Sequence, residues 1–145
     1  MLAIGCDHGG YELKNSILKH LEEKGVEYKD FGTYSTDSVD YPDIAETVCA
    51  AVTAGEADLA ILVCGTGIGM SMAANKVKGI RAACCSDTFS AKFTRLHNDA
   101  NCLCLGGRVV GPGLADMLVD AFIDTEFEGG RHQRRIDKVM AIENK

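Results

Sequence analysis

The residues best suited to chemistry lie in "LAILVCGTGIGMSMAANK", residues 59–76, where an apolar run breaks into three glycines within five positions, with Cys64 at the break. This glycine turn lacks the third glycine of a dinucleotide loop, whose place Met70 takes, and the Gly-Lys-Ser/Thr ending of a Walker loop. What remains is a run of backbone N–H groups at a helix start, which binds anions and stabilises a thiolate. The alternatives are that the glycines only let strand and helix pack closely and that Cys64 is a core residue.

Two further motifs carry an imidazole beside a polar partner. "CDHGG" places Asp7 and His8 just after a first strand, where an acid and an imidazole suit a hydroxylated ligand or its phosphate. Helix capping is an equally compatible function for Asp7. "RLHNDAN" places His97 and Asn98 after a fourth helix and before a fifth strand, although His97 alone could be a surface histidine.

The motif "GGRHQRR" is the strongest local charge contrast in an acidic chain. Arg131 and Arg135 are four residues apart and so share a helix face, where two guanidinium groups suit a phosphate. A solvated run of charges is the alternative.

Apolar periodicity predicts the elements that position these residues. The expected strands are 2–6, 26–31, 57–64, 79–85 and 101–107, and the expected helices are 11–24, 42–54, 69–76, 87–96 and 112–122. The strands are almost continuously apolar, which is typical of a parallel sheet with helices on both faces. We therefore expect one α/β domain over residues 1–145, doubly wound (Rossmann or flavodoxin-like) around five strands, with ligands at the strands' carboxyl ends. An extra C-terminal helix, about 131–143, is expected to pack on a partner subunit.

Composition excludes several classes of protein. A net charge of −6 over 145 residues argues against general nucleic-acid binding. No apolar run approaches a membrane span and no signal segment opens the chain, so we expect a cytoplasmic protein without membrane contact. The seven cysteines lack metal-site spacing and are expected to be reduced thiols, mostly buried, with no metal site.

Five motifs in order resemble the ribose-5-phosphate isomerase B family, which includes galactose-6-phosphate isomerase subunits. They are "GCDHGG", "VDYPDIA" (39–45), "VCGTGIGMSMAANK" (63–76), "RLHNDANCLCLGGR" (95–108) and "GGRHQRR" (129–135). The resemblance implies an aldose–ketose isomerase of sugar phosphates that uses neither metal nor cofactor. It also implies an assembly built on a homodimer, as a dimer or a tetramer, with active sites shared between subunits.

The resemblance also implies individual roles. Cys64 becomes the base that moves a proton between C1 and C2, and His97 assists ring opening. The sugar and the enediolate are contacted by Asp7, Gly65, Thr66, Gly67, Ile68, Gly69 and Asn98, and the phosphate by His8, Arg108, Arg131 and Arg135. Some relatives use a glutamate in the glycine-loop helix as the base, but Met70 stands there in this chain, which leaves Cys64.

Two other functions remain open. One is isomerisation of a different aldose phosphate, such as allose 6-phosphate, galactose 6-phosphate or a tetrose phosphate. The galactose-6-phosphate enzymes work as two different subunits, whereas this chain carries every expected group, which favours ribose 5-phosphate. The other is a nucleotide-binding module without turnover.

Overall fold

A single parallel sheet forms the centre of the computed structural model, which describes residues 1–145. Its strands are β1 (Leu2–Cys6), β2 (Tyr28–Asp30), β3 (Leu59–Cys64), β4 (Ala82–Cys84) and β5 (Cys102–Gly106), in the order β2-β1-β3-β5-β4. Every pairing is parallel. The predicted five-stranded doubly wound architecture is therefore confirmed.

Six α-helices surround the sheet: α1 (Tyr11–Lys24), α2 (Tyr41–Thr53), α3 (Ile68–Ala74), α4 (Thr88–Asn98), α5 (Pro112–Ile123) and α6 (Arg131–Ala141). Single 3₁₀ turns cover His8–Gly10 and Ile142–Asn144. β2 and β4 are shorter than predicted because each is an edge strand that pairs on one side only. Helix α4 runs two residues further than predicted, so His97 and Asn98 lie in its last turn and not after it.

The core has two layers, one on each face of the sheet. Side chains of α1, α4 and α5, including Ile17, Ala91 and Leu118, pack on one face. Side chains of α2 and α3, including Val48 and Met70, pack on the other. The central strands are buried on both faces, which explains their continuous apolar runs.

The seven cysteines are all free thiols, and six of them are buried; only Cys84 is exposed. No helix combines the length and the apolar character needed to cross a membrane. From β1 the chain continues to one side of the sheet, and from β3 it continues to the other side. The helices that follow these two strands lie on opposite faces. The crevice at this switch point is where ligands bind in open α/β sheets, and the residues after β1 and β3 flank it.

Candidate active site

Cys64 is the last residue of β3, and a turn of three residues joins it to α3. Within this turn Gly67 has φ +81°, in the left-handed region, and a β-carbon there would lie 2.9 Å from the carbonyl carbon of Leu105. The glycine lets the turn fold back so that the Gly67 N–H donates to the Cys64 Sγ at 3.1 Å. This hydrogen bond stabilises the thiolate form of Cys64, whose residue surface is only 5% exposed.

The other cysteines have less suitable surroundings. Cys64 carries the one sulfur of the seven that accepts a hydrogen bond from a backbone amide. Burial raises the pKa of Cys6 and of Cys85 to about 11. Burial and the neighbouring Cys64 also raise the pKa of Cys84. These three remain protonated thiols at neutral pH, and none of them accepts an amide hydrogen bond as Cys64 does.

The turn after Cys64 also offers free amide donors. The N–H groups of Gly65, Thr66 and Gly69 have no hydrogen-bond partner in the protein. The N–H of Ile68 is instead used by the Thr66 Oγ1, at 3.2 Å. A developing negative charge beside Cys64 would therefore meet unpaired backbone donors.

Asp7 and His8 lie directly after β1, beside the glycine turn. The Oδ1 of Asp7 accepts from the N–H groups of Gly9 and Gly10, at 2.8 and 3.2 Å, so the predicted capping function is present. Its Oδ2 has no protein partner and is available to a ligand. The Nδ1 of His8 accepts from the Val39 N–H at 3.2 Å, which leaves its Nε2 free.

Arg108 joins the same group through the segment that follows β5. The N–H of Arg108 donates to the Gly65 carbonyl at 3.0 Å. Its guanidinium lies 3.2 Å from where a Gly65 β-carbon would be. A β-carbon on Gly107 would lie 2.5 Å from the Gly9 carbonyl oxygen, so the segments after β1, β3 and β5 lie backbone against backbone. The structure thus brings Asp7, His8, the Cys64 turn and Arg108 together.

Tyr41 is a neighbour of this site that sequence reasoning did not single out. Its ring lies 2.7 Å from where a Gly69 β-carbon would be, so it covers the start of α3. The signal was its place in the "VDYPDIA" motif, at a helix start marked by Pro42. Met70, in contrast, is fully buried in the core and belongs to no site.

His97 and Asn98 lie at the opposite edge of the sheet, where the strands begin. The carbonyl of Asn98 accepts from Arg81 Nε at 3.0 Å, and Arg81 directly precedes β4. β4 pairs with the first residues of β5, whereas Cys64 pairs with Gly106, the last residue of β5. A strand of five residues spans about 13 Å, so one chain does not bring His97 or Asn98 to Cys64.

The C-terminal arginines lie near His97. Helix α6 packs on α4 of its own chain, where the His132 ring stacks on the His97 ring with centroids 4.1 Å apart and planes 12° apart. Arg135 lines a cavity of about 790 Å³ together with His97 and Asn98, and Arg131 begins the same helix. Since α6 has a packing site within its own chain, its contact with a partner subunit stays a prediction.

His97, Glu128 and His132 form the only cluster with donor atoms suited to a metal, and these atoms lie within 4.8 Å of one another. The two imidazole rings are nearly parallel, so their lone pairs point side by side and not at one centre. Arg131 and Arg135 place positive charge next to the cluster. Both features disfavour a bound cation at this cluster.

The fold and the site define a doubly wound α/β protein that presents a buried thiol and a turn with unpaired backbone amides at the carboxyl edge of its sheet. A model of the family described as "Ribose/Galactose Isomerase" matches residues 2–139, and the chain belongs to this family. It is 53% identical to ribose-5-phosphate isomerase B of Escherichia coli over 99% of this chain and 97% of that protein.

Solved structures agree with this assignment. The chain superposes on ribose-5-phosphate isomerase B of Clostridium thermocellum with a TM-score of 0.97 and 52% identity, covering 99% of this chain and 97% of that one. It also superposes on the Mycoplasma genitalium ribose-5-phosphate isomerase B with bound ribulose-5-phosphate, with a TM-score of 0.94 and 44% identity, covering 99% and 96%.

His132 provides a test of the α4–α6 contact. Burial and the neighbouring His97 hold the pKa of His132 below its usual range; Arg131 and Arg135 act in the same direction and Glu128 opposes them. As the pH falls through about 6.5, the unfolded chain takes up this proton before the folded chain does, so stability decreases.

We expect His132→Gln to lose less stability than the wild type between about pH 7.5 and pH 5.5, as measured by urea unfolding. Gln133→Ala, an exposed change in the same helical turn, should keep the wild-type loss. Equal losses in wild type and His132→Gln would show that His132 is not held neutral by this contact.

Proposed function

We propose that this protein interconverts D-ribose 5-phosphate and D-ribulose 5-phosphate through an enediolate, with Cys64 as the base. The observation that carries the proposal is the Cys64 sulfur held by the Gly67 amide beside unpaired backbone donors. The family match over residues 2–139 supports the same reaction class.

The proposed chemistry follows from the acidity of the substrate. A proton on carbon next to a carbonyl is hard to remove unless the charge that develops on the oxygen is stabilised. The amides of Gly65, Thr66 and Gly69 stabilise that oxygen, while the Cys64 thiolate takes the proton from C2 and returns it to C1. The hydroxyl proton on O2 is transferred to O1 in the same reaction, so that the carbonyl group moves from C1 to C2. The free Oδ2 of Asp7 binds a sugar hydroxyl. No step requires a metal or a cofactor.

The residues of the proposed site lie at two opposite edges of the sheet. One edge holds the base and Arg108, and the other holds His97, Asn98 and the α6 arginines. We infer that a second copy of the chain places its His97 group over the Cys64 group, where Arg131 and Arg135 bind the phosphate with His8. Four large apolar side chains on α3, α4 and the turn after β5 support such a contact: Ile68, Met72, Phe89 and Val109 are each more than half exposed.

The first prediction from this proposal concerns the base. Cys64→Ala should lower kcat for ribose 5-phosphate by about 10²–10⁴-fold, because the general base is lost while the binding groups remain. Cys84→Ala, which removes the one exposed thiol, is the matched control and should keep turnover. All assays contain EDTA and include allose 6-phosphate, galactose 6-phosphate and a tetrose phosphate.

Iodoacetamide should inactivate the wild type, and substrate should protect it. Near-normal turnover by Cys64→Ala, with loss in Cys6→Ala or Cys102→Ala, would contradict the assignment. Activity lost to EDTA and restored by a divalent ion would contradict metal-free catalysis. A faster reaction with one of the other aldose phosphates would transfer the proposal to that sugar.

A separate prediction concerns His97. His97→Asn should impair turnover of the cyclic sugar phosphate more than turnover of an open-chain substrate, because only ring opening needs a proton shuttle there. The measurement is kcat/KM for both kinds of substrate in the wild type and the variant. Equal losses would remove His97 from ring opening.

Sharing of sites between copies predicts complementation. Cys64→Ala and the double variant Arg131→Ala/Arg135→Ala should each be inactive alone. In a hybrid dimer, the intact Cys64 of one chain meets the intact arginines of the other and forms one complete site. Co-refolding should therefore restore up to about half of the wild-type activity per hybrid dimer, given two-fold symmetry. If the arginines serve their own chain, isolated hybrid dimers will be as inactive as their parents.

A further inference from the structure

The loop between β2 and α2 crosses the carboxyl edge of the sheet and reaches His8. Its residue Val39 donates its backbone N–H to the His8 Nδ1 at 3.2 Å, a contact between residues 31 positions apart. The His8 Nε2 has no partner in the protein. This contact involves neither the Cys64 sulfur nor the amides of the glycine turn.

This hydrogen bond determines the tautomer of His8. A backbone amide can only donate, so the Nδ1 that receives its proton must carry a lone pair. A neutral imidazole with a bare Nδ1 carries its proton on Nε2. The contact with Val39 therefore makes the free nitrogen of His8 a hydrogen-bond donor.

A buried ion pair fixes the loop at its beginning. Lys14 is fully buried, and its Nζ donates to both carboxylate oxygens of Asp30 at 2.9 Å and to the Thr33 carbonyl at 2.7 Å. The Thr33 N–H donates in turn to the Cys6 carbonyl at 2.7 Å, at the end of β1. All three protons of this ammonium are used within the fold, so Lys14 serves to hold the loop and leaves no donor for a ligand.

The loop is fixed at its end as well. Two residues after Val39, the chain enters α2 at Tyr41, whose ring packs against Gly69 of the glycine turn. Val39 is therefore held between an anchored start and an anchored end, which gives its amide a defined position beside His8.

We propose that the Val39 N–H is a positioning group that selects the Nε2–H tautomer of His8 for binding the substrate's phosphate. This inference rests on the proposed function for the identity of the phosphate ligand. With the other tautomer, His8 would present a lone pair to phosphate oxygens, which can only accept. A neutral donor also leaves neutralisation of the phosphate charge to the arginines.

The test removes one N–H group. Val39→Pro lacks the amide proton, whereas Val39→Ala shortens the side chain and keeps it. The readouts are the ¹⁵N chemical shifts of the His8 ring and the Kd for inorganic phosphate by calorimetry, and neither needs turnover. We expect Val39→Pro to show a mixture of His8 tautomers and to bind phosphate about 3- to 10-fold more weakly, the usual worth of one hydrogen bond. Val39→Ala should match the wild type in both.

The effect must also depend on His8. In a His8→Phe background, Val39→Pro should cause no further loss of phosphate affinity. An equal loss in that background, or an unchanged His8 tautomer in Val39→Pro, overturns the proposal. If Val39→Pro does not fold, replacing Val39 by its α-hydroxy acid removes the same N–H without a proline ring, and the same outcomes apply. A protein with the expected tautomer and phosphate affinity but no turnover would contradict the isomerase proposal alone.

Discussion

In a parallel sheet all strands begin at one edge and end at the other, and this constraint decides which functional residues of the chain can meet. All strand carboxyl ends lie at one edge, so the segments after β1, β3 and β5 converge there and bring Asp7, Cys64 and Arg108 together. Each returning helix carries its last turn to the other edge. Helix α4 therefore takes His97 about one strand length away from Cys64. The division of the site follows from the direction of the strands and not from any single side chain.

At the carboxyl edge of the sheet, backbone segments approach one another closely. The contacts between Gly107 and Gly9, and between Gly67 and Leu105, leave no room for a β-carbon. As a result, the Gly67 amide contacts the Cys64 sulfur, and the unpaired amides of Gly65, Thr66 and Gly69 lie in the same turn. Amides are rigid donors without net charge, so they stabilise a thiolate or an enediolate without permanently pairing with it. Of the cations proposed to bind phosphate, Arg108 lies beside this turn and Arg131 and Arg135 lie on α6.

Local patterns predicted most of the fold, because continuous apolar runs, glycines and prolines act over a few residues. The same reasoning placed Asp7 and Cys64 at strand ends, where the structure has them. It placed His97 after α4, although the helix includes it, since local patterns fix a helix end only to within one or two residues. The contact of Val39 with His8 and the stacking of His132 on His97 link distant segments, and no local pattern contains such pairs. Tyr41 was missed for the same reason.

The positions of the cations connect the two groups of residues, at the two edges of the sheet, with the proposed function. The chain carries a net charge of −6, yet the proposed substrate is a phosphate, so its recognition depends on which cations lie beside the site. Lys14 is consumed by Asp30 and Thr33, and Lys24 is paired with Asp120 and Asp124. At the carboxyl edge Arg108 remains beside the Cys64 turn, whereas Arg131 and Arg135 lie with His97 at the far edge. A single chain would therefore hold a base with an incomplete anchor. Under the proposed function, two chains in closed symmetry would supply each other's missing half, and each such pair would form two equal sites. Under the proposed function, catalysis by this chain therefore requires its assembly with a second copy.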